Sequence, residues 1–273
     1  MEIAPGVHRL EEDVTGSNVV LLTGEQMAVI DAGIPGNGDA IVSYIRKLGR
    51  SPSDLEWIIV THHHFDHSGS AWELRELTGA KVVAHRSETE PTPDGKLLLR
   101  KGGEGEPPPS WYRWILARSG GGRRPEIVFH DIEVQMAVED GEVLDCLGGL
   151  RIIHTPGHTP GSISPLLADP QVIFLGDSAL NNVDRLSRPL TWDRAKRRQL
   201  DESLRGLRDL EAAFACFGHG PPLMDQVMEK VRGMTDRPYD MPTWRIALKN
   251  WQTLQRFRAS TQRKGHWEGG KSD

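Results

Sequence analysis

Residues 61–69 read "THHHFDHSG", which puts four histidines and one aspartate between positions 62 and 67. Imidazoles that charge together repel one another, so a metal ion is the usual reason to hold so many close. An apolar run, "EWIIV", leads into the cluster, and an extended backbone points alternate side chains the same way. His62 and His64 are therefore expected to face one cation and His63 to point elsewhere. Asp66 and His67, at the turn that follows, are placed to reach a second cation beside the first. The remaining donors come from separate loops: His158 in "HTPGHTPGS", Asp177 in "FLGDS" and His219 in "FGHGPP". Each stands just past an apolar run, where α/β folds assemble their sites. Five of the eleven histidines then share one task.

The elements that must position these donors fall into two sets. In the first, "NVVLLTG", "QMAVIDAG" and "KVVAH" read as strands. A helix is expected over about 37–49, with Ile41, Ile45 and Leu48 on one face, and a second over "SGSAWELRELTG", ending at Gly79. The second set runs from about 131 to 217. It carries a hairpin signal at Gly148-Gly149, a strand in "LRIIHT", another in "QVIFLG", a helix over about 191–210 and a strand in "FACFG". Two such halves suggest an α/β sandwich rather than one parallel sheet. Between them, 86–128 is rich in turn formers and holds a short helix with Ser110 as N-cap and Gly120 past its end. Its aromatic residues, Trp111 and Trp114 among them, fit either a lid over an apolar pocket or a packed connector. A last helix, about 243–258, carries Trp244, Leu248, Trp251 and Leu254 along one stripe suited to docking on the domain.

Apolar residues make up 37% of the 273, and glycine adds a further 29 residues, a globular balance with enough chain for a core. A net charge of −5 gives no reason to expect nucleic acid as a partner. The acid-rich stretch 126–145 and the basic "RAKRR" at 194–198 read as solvated surface. Cys146 and Cys216 sit in apolar runs without metal-ligand spacing, as core thiols do. No apolar run approaches a membrane span and the amino terminus lacks signal-peptide order, so a reducing cytoplasm is the expected location.

In order and interval, His-x-His-x-Asp-His, Gly-His-Thr, Gly-Asp and Gly-His-Gly resemble the metallo-β-lactamase superfamily over about 1–224. The resemblance implies a four-layer αββα sandwich with a dinuclear site on one edge. Residues 1–224 would form the hydrolase domain, with 86–128 as a lid-like insertion. Residues 225–273 would be a C-terminal helical extension packed on it. It also implies that His62, His64 and His158 hold one metal, that Asp66, His67 and His219 hold the other, and that Asp177 bridges them. Asp31 in "VIDAG" matches a family position that orients a ligand from behind. Two Zn2+ suit this thiolate-free set, and iron, manganese and cobalt are compatible. His64 stands where oxygen-reducing members carry a carboxylate, so hydrolysis is favoured, by a bridging hydroxide attacking a carbonyl with Asp66 as proton shuttle.

Departures from subfamily patterns narrow the substrate. Asp177 replaces the cysteine or serine of the dedicated antibiotic hydrolases. Gly220-Pro221 replaces the Glu-Tyr of glyoxalase-II-type thioesterases, and Leu180 replaces a tyrosine of acyl-homoserine lactonases. The expectation is a hydrolase of lactones or carboxylic esters, with Trp111, Trp114 and Leu180 as substrate contacts. β-Lactam, phosphodiester and thioester cleavage are the alternatives. The partner is then a small molecule, with no nucleic acid or membrane and with room for a homodimer.

Overall fold

A computed structural model describes residues 1–11, 14–101, 130–182, 185–189, 191 and 193–237. The first sheet contains β1 (Glu2–Ala4), β2 (Val7–Arg9), β3 (Val20–Thr23), β4 (Met27–Ile30), β5 (Leu55–Ile59) and β6 (Lys81–His85). After a hairpin of β7 (Thr89–Pro91) and β8 (Leu97–Leu99), β9 (Met136–Val138) completes its edge. β1 to β4 pair antiparallel, whereas β4, β5, β6 and β9 run parallel. The second sheet contains β10 (Val143–Leu144), β11 (Leu150–Arg151), β12 (Leu166–Leu167) and β13 (Val172–Phe174). Beyond the small hairpin of β14 (Leu180–Asn181) and β15 (Leu186–Ser187), β16 (Phe214–Cys216) joins β13 in parallel.

Both faces of each sheet are covered, which is why its central strands read as unbroken apolar runs. The pleat sorts them. Val20, Leu22, Ala28 and Ile30 turn inward to meet Leu150, Leu167, Val172 and Phe174 of the opposing sheet. Leu21, Met27 and Val29 turn outward onto α1 (Gly38–Lys47) and α3 (Ala71–Thr78), meeting Ile41, Ile45 and Leu74. Ile173 and Ala215 do the same for α4 (Arg194–Gly206) and α5 (Val227–Thr235), through Leu200, Leu204, Val227 and Val231. The layer order is helix, sheet, sheet, helix: a four-layer αββα sandwich.

Several expected boundaries shift. α1 stops at Lys47, so Leu48 caps the helix, 36% exposed, instead of continuing its buried stripe. The helix expected over 68–79 is two: α2 (Phe65–Ser68), then α3, which ends at Gly79 as expected. α4 starts at Arg194 rather than 191 because the Asp193 carboxylate accepts from Ala195 N at 2.7 Å and Lys196 N at 3.3 Å, fixing the N-terminus there. The ladder in "LRIIHT" closes after Arg151, and Cys146 lies past β10 rather than within a strand, although it is buried. The start of the 86–128 connector is packed: Glu88 and Thr89 are buried, and the Thr92–Gly95 turn joins β7 to β8. Its remainder, with Trp111 and Trp114, lies outside the described residues, as does the 243–258 helix. α5, the described part of the carboxy-terminal stretch, buries Val227, Met228, Val231 and Met234 on the second sheet. No described helix is long and apolar enough to cross a membrane.

Candidate metal centre

Asp31 directly follows β4, the residues Thr61 to His67 follow β5, Asp177 follows β13 and His219 follows β16. His158 lies in the loop between β11 and β12. β4–β5 and β13–β16 are the parallel pairs facing each other across the sandwich, so their carboxyl ends open onto one shared rim. Each sheet supplies part of the site.

Three ring nitrogens converge first. His62 Nε2 lies 3.1 Å from His64 Nδ1, and His158 Nε2 lies 3.0 Å from the same atom. Adjacent donors on a tetrahedral zinc with Zn–N of about 2.0–2.1 Å stand about 3.3 Å apart, so the cradle has nearly the right width. A second group joins Asp66, His67 and His219, and a third joins His62, His67 and Asp177. The donor atoms within each lie within 4.8 Å of one another. Asp177 stands between the groups. Its Oδ2 is 3.6 Å from both His158 Nε2 and His219 Nε2, and its Oδ1 is 3.5 Å from His67 Nε2. Asp66 Oδ2 lies 3.3 Å from His219 Nε2. His67 Nε2 and Asp177 Oδ1 are buried without a hydrogen-bond partner, which is the arrangement a cation would complete. Imidazole and carboxylate donors without thiolate fit a divalent transition metal.

Asp31 fixes which nitrogens face inward. Its carboxylate accepts from Thr61 N at 2.8 Å, Thr61 Oγ1 at 2.9 Å and His67 Nδ1 at 2.7 Å. The single Thr61 hydroxyl proton is thus committed to Asp31. His62 Nδ1, 3.1 Å from Thr61 Oγ1, must therefore donate, leaving His62 Nε2 with its lone pair. His67 is fixed in the same way, with Nε2 free to ligate. Asp31 holds φ at +58°, a left-handed conformation that aspartate tolerates and that aims its carboxylate back at Thr61.

Electrostatics divides the site. Burial, then neighbouring imidazoles, pushes the His62 pKa well below its usual value and brings His64 to about 3, while burial also lowers His158. These three are neutral donors. Burial would likewise lower His67, but Asp31 and Asp177 raise it well above the ordinary value. For His219, burial is outweighed by Asp177 and Asp66, so its pKa is also raised. Burial would raise Asp177, yet His67 and His219 hold it well below the carboxylate range. Carboxylates thus favour positive charge beside His67 and His219, whereas burial and neighbouring imidazoles disfavour it in the triad.

The seven residues read as ligands in the sequence lie close together, with Asp31 bonded to Thr61 and His67 behind them. His63 points away. The alternation arises in the bend after β5 rather than in the strand, because the ladder closes at Ile59 and His64 caps α2. Beside His64 and Asp66 opens a cavity of about 520 Å³, lined also by Phe65, Leu99, Arg100, Lys101, His130 and Ile132. Leu180 lies in β14, half-buried, and does not line it.

Three contributors were not among the candidate site residues. Asn18 donates from Nδ2 to Phe217 O at 2.8 Å and Gly220 O at 2.6 Å, clamping the His219 loop. A Cβ on Gly218 would lie 2.2 Å from Asp177 Oδ1. Glu88 binds His63. Only "GHG" was legible as a signal, and it pointed to its histidine.

Residues 13–219 match the metallo-β-lactamase superfamily. The chain is 30% identical over 241 residues to YflN of Bacillus subtilis, named a probable metallo-hydrolase, covering 81% of this chain and 86% of that one. It is 30% identical over 219 residues to a metallo-β-lactamase fold-containing protein of Sulfurisphaera tokodaii, covering 78% and 76%. A crystal structure of a metallo-β-lactamase family protein from Thermus thermophilus superposes with a TM-score of 0.61 at 24% identity, covering 85% of this chain and 79% of that one.

Proposed function

The chain belongs to the metallo-β-lactamase superfamily, and from that membership and the donor geometry we propose a hydrolase of lactones or carboxylic esters that works with two zinc ions. The observation that carries this reading is Asp177, which stands between an all-imidazole triad and a carboxylate-bearing one. His62, His64 and His158 would hold one cation and Asp66, His67 and His219 the other, with Asp177 reaching both. Cations held there supply Lewis acidity toward a carbonyl and lower the pKa of a water from 15.7 toward ~7.

The chain's own groups do the rest. Asp31 and Thr61 keep the ligating nitrogens of His62 and His67 aimed inward. Asp66 lies at the cavity wall, where its carboxylate can accept a proton from water and return it to the departing oxygen. Burial works against ionisation of Asp66, but its hydrogen bond to His219 prevails and lowers its pKa, so the shuttle starts as carboxylate. Phe65, Leu99 and Ile132 give the cavity an apolar side for the acyl portion of the substrate.

Arg100, Lys101 and His130, which also line the cavity, favour a phosphodiester as the second reading. Metal-loaded protein should be assayed on γ- and δ-lactones, aryl esters, nitrocefin and bis-p-nitrophenyl phosphate. Lactone or ester turnover that exceeds the others and collapses in Asp66→Ala is the expected result. A faster phosphodiester rate installs the second reading, and no turnover of any substrate overturns both.

A further inference from the structure

Glu88 is fully buried at the end of a 3-10 turn, Arg86–Glu88, that follows β6. Its carboxylate faces two loops at once. Oε2 accepts from His63 N at 2.7 Å and also meets His63 Nδ1. Oε1 accepts from Thr159 Oγ1 at 2.7 Å and from Gly161 N at 2.6 Å. His63 stands between His62 and His64, and Thr159 directly follows His158. One carboxylate thus ties together the two stretches that supply the imidazole triad, although His64 and His158 are 94 residues apart. The fit leaves no slack. A Cβ on Gly161 would lie 2.7 Å from Glu88 Cγ and 2.9 Å from Oε1, so the loop can close on the carboxylate only with glycine there.

We propose that Glu88 is a positioning residue that sets the width of the His62–His64–His158 cradle by bonding the two ligand loops to a single buried carboxylate. This rests on the reading of that cradle as a metal site. Four donors converge on two oxygens, so the carboxylate is fully engaged and has no orientation that releases one loop while keeping the other. Backbone amides of both loops are among the donors, so Glu88 holds main chain as well as side chains. Outer partners of metal ligands typically change affinity 10–100-fold when lost.

The test is Glu88→Gln in the full chain. The amide is nearly isosteric, but its NH2 group must face either the His63 donors or the Thr159 and Gly161 donors, so one loop is released. Cobalt(II) is the probe, followed by competitive titration and by the visible d–d bands that report coordination geometry. Cobalt affinity in Glu88→Gln should fall 10–100-fold with altered bands, while circular dichroism stays that of the parent. Unchanged affinity and bands in the variant would overturn the proposal while leaving the metal reading intact. Failure of the parent chain to bind cobalt would remove the metal reading itself. If Glu88→Gln does not fold, Thr159→Val removes one of the two bonds to Oε1, leaving that of the Gly161 amide, without touching the charge. It should weaken cobalt binding several-fold, and bands identical to the parent's would sink the inference.

Discussion

Gly218 backs directly onto Asp177: a Cβ at 218 would stand 2.2 Å from Asp177 Oδ1 and 2.5 Å from His67 Cε1. Cβ is fixed to the backbone, so the overlap is relieved only if the Asp177 carboxylate and the His67 ring give way. Gly218→Ala should displace the carboxylate that stands between the two donor groups. The expected result is loss of at least one cation per chain by elemental analysis and a hydrolysis rate at least tenfold lower, with the fold retained by circular dichroism. Full stoichiometry in the alanine variant would show that Asp177 does not sit between two cations.

Asp66→Ala separates proton transfer from the imidazole triad. Removal of a positioned proton carrier typically costs 10²–10⁴-fold. Turnover should fall by that amount while His62, His64 and His158 still retain one cation. Elemental analysis beside kcat measurement checks both halves. Unaltered kcat would transfer the proton shuttle to another group.

The donors themselves were legible because four of them crowd into six positions and each of the others abuts an apolar run. The sandwich was legible because its strands, buried on both faces, leave runs such as "EWIIV" and "QVIFL" in the sequence. Glu88 was not. Its partners lie 25, 71 and 73 residues away, and its local text, "HRSETEPT", is an ordinary turn-rich stretch with two glutamates. Asn18 is hidden likewise, holding a loop about 200 residues distant. Element ends failed for a related reason. Whether a helix begins at 191 or at 194 depends on a cap, and whether "LRIIHT" stays paired depends on where its neighbour turns away.

Glu88 also makes stability depend on pH. Burial would raise its pKa, but the bonds from His63 and Thr159 bring it down to about 2 from an ordinary 4.5. A depressed carboxylate stabilises the fold fully above its unfolded value, and the contribution disappears as pH falls through the folded one. A shift of this size corresponds to on the order of 3 kcal/mol. Denaturant titrations should show the gap between the parent and Glu88→Gln closing from pH 4.5 toward 2. A gap constant across that window would place its origin elsewhere.

Cys146 and Cys216 should be silent in the native protein. Both are buried, and burial pushes each thiol to about 12, so thiolate is scarce at neutral pH. Ellman's reagent at pH 8 should detect neither until guanidinium is added, and then both. Rapid native labelling of either would contradict their packing.

The proposed ligands come from both halves of the sandwich: His62, His64, Asp66 and His67 from the first sheet's rim, His158, Asp177 and His219 from the second's. Bound cations would therefore act as rivets through the seam between the sheets, and occupancy would be felt by the whole molecule. By mass action, a cation at 100 times its dissociation constant adds about 2.7 kcal/mol per site to the cost of unfolding. Chelation should accordingly lower the melting temperature of the entire sandwich in one transition, so that metal supply would govern how long the folded protein lasts.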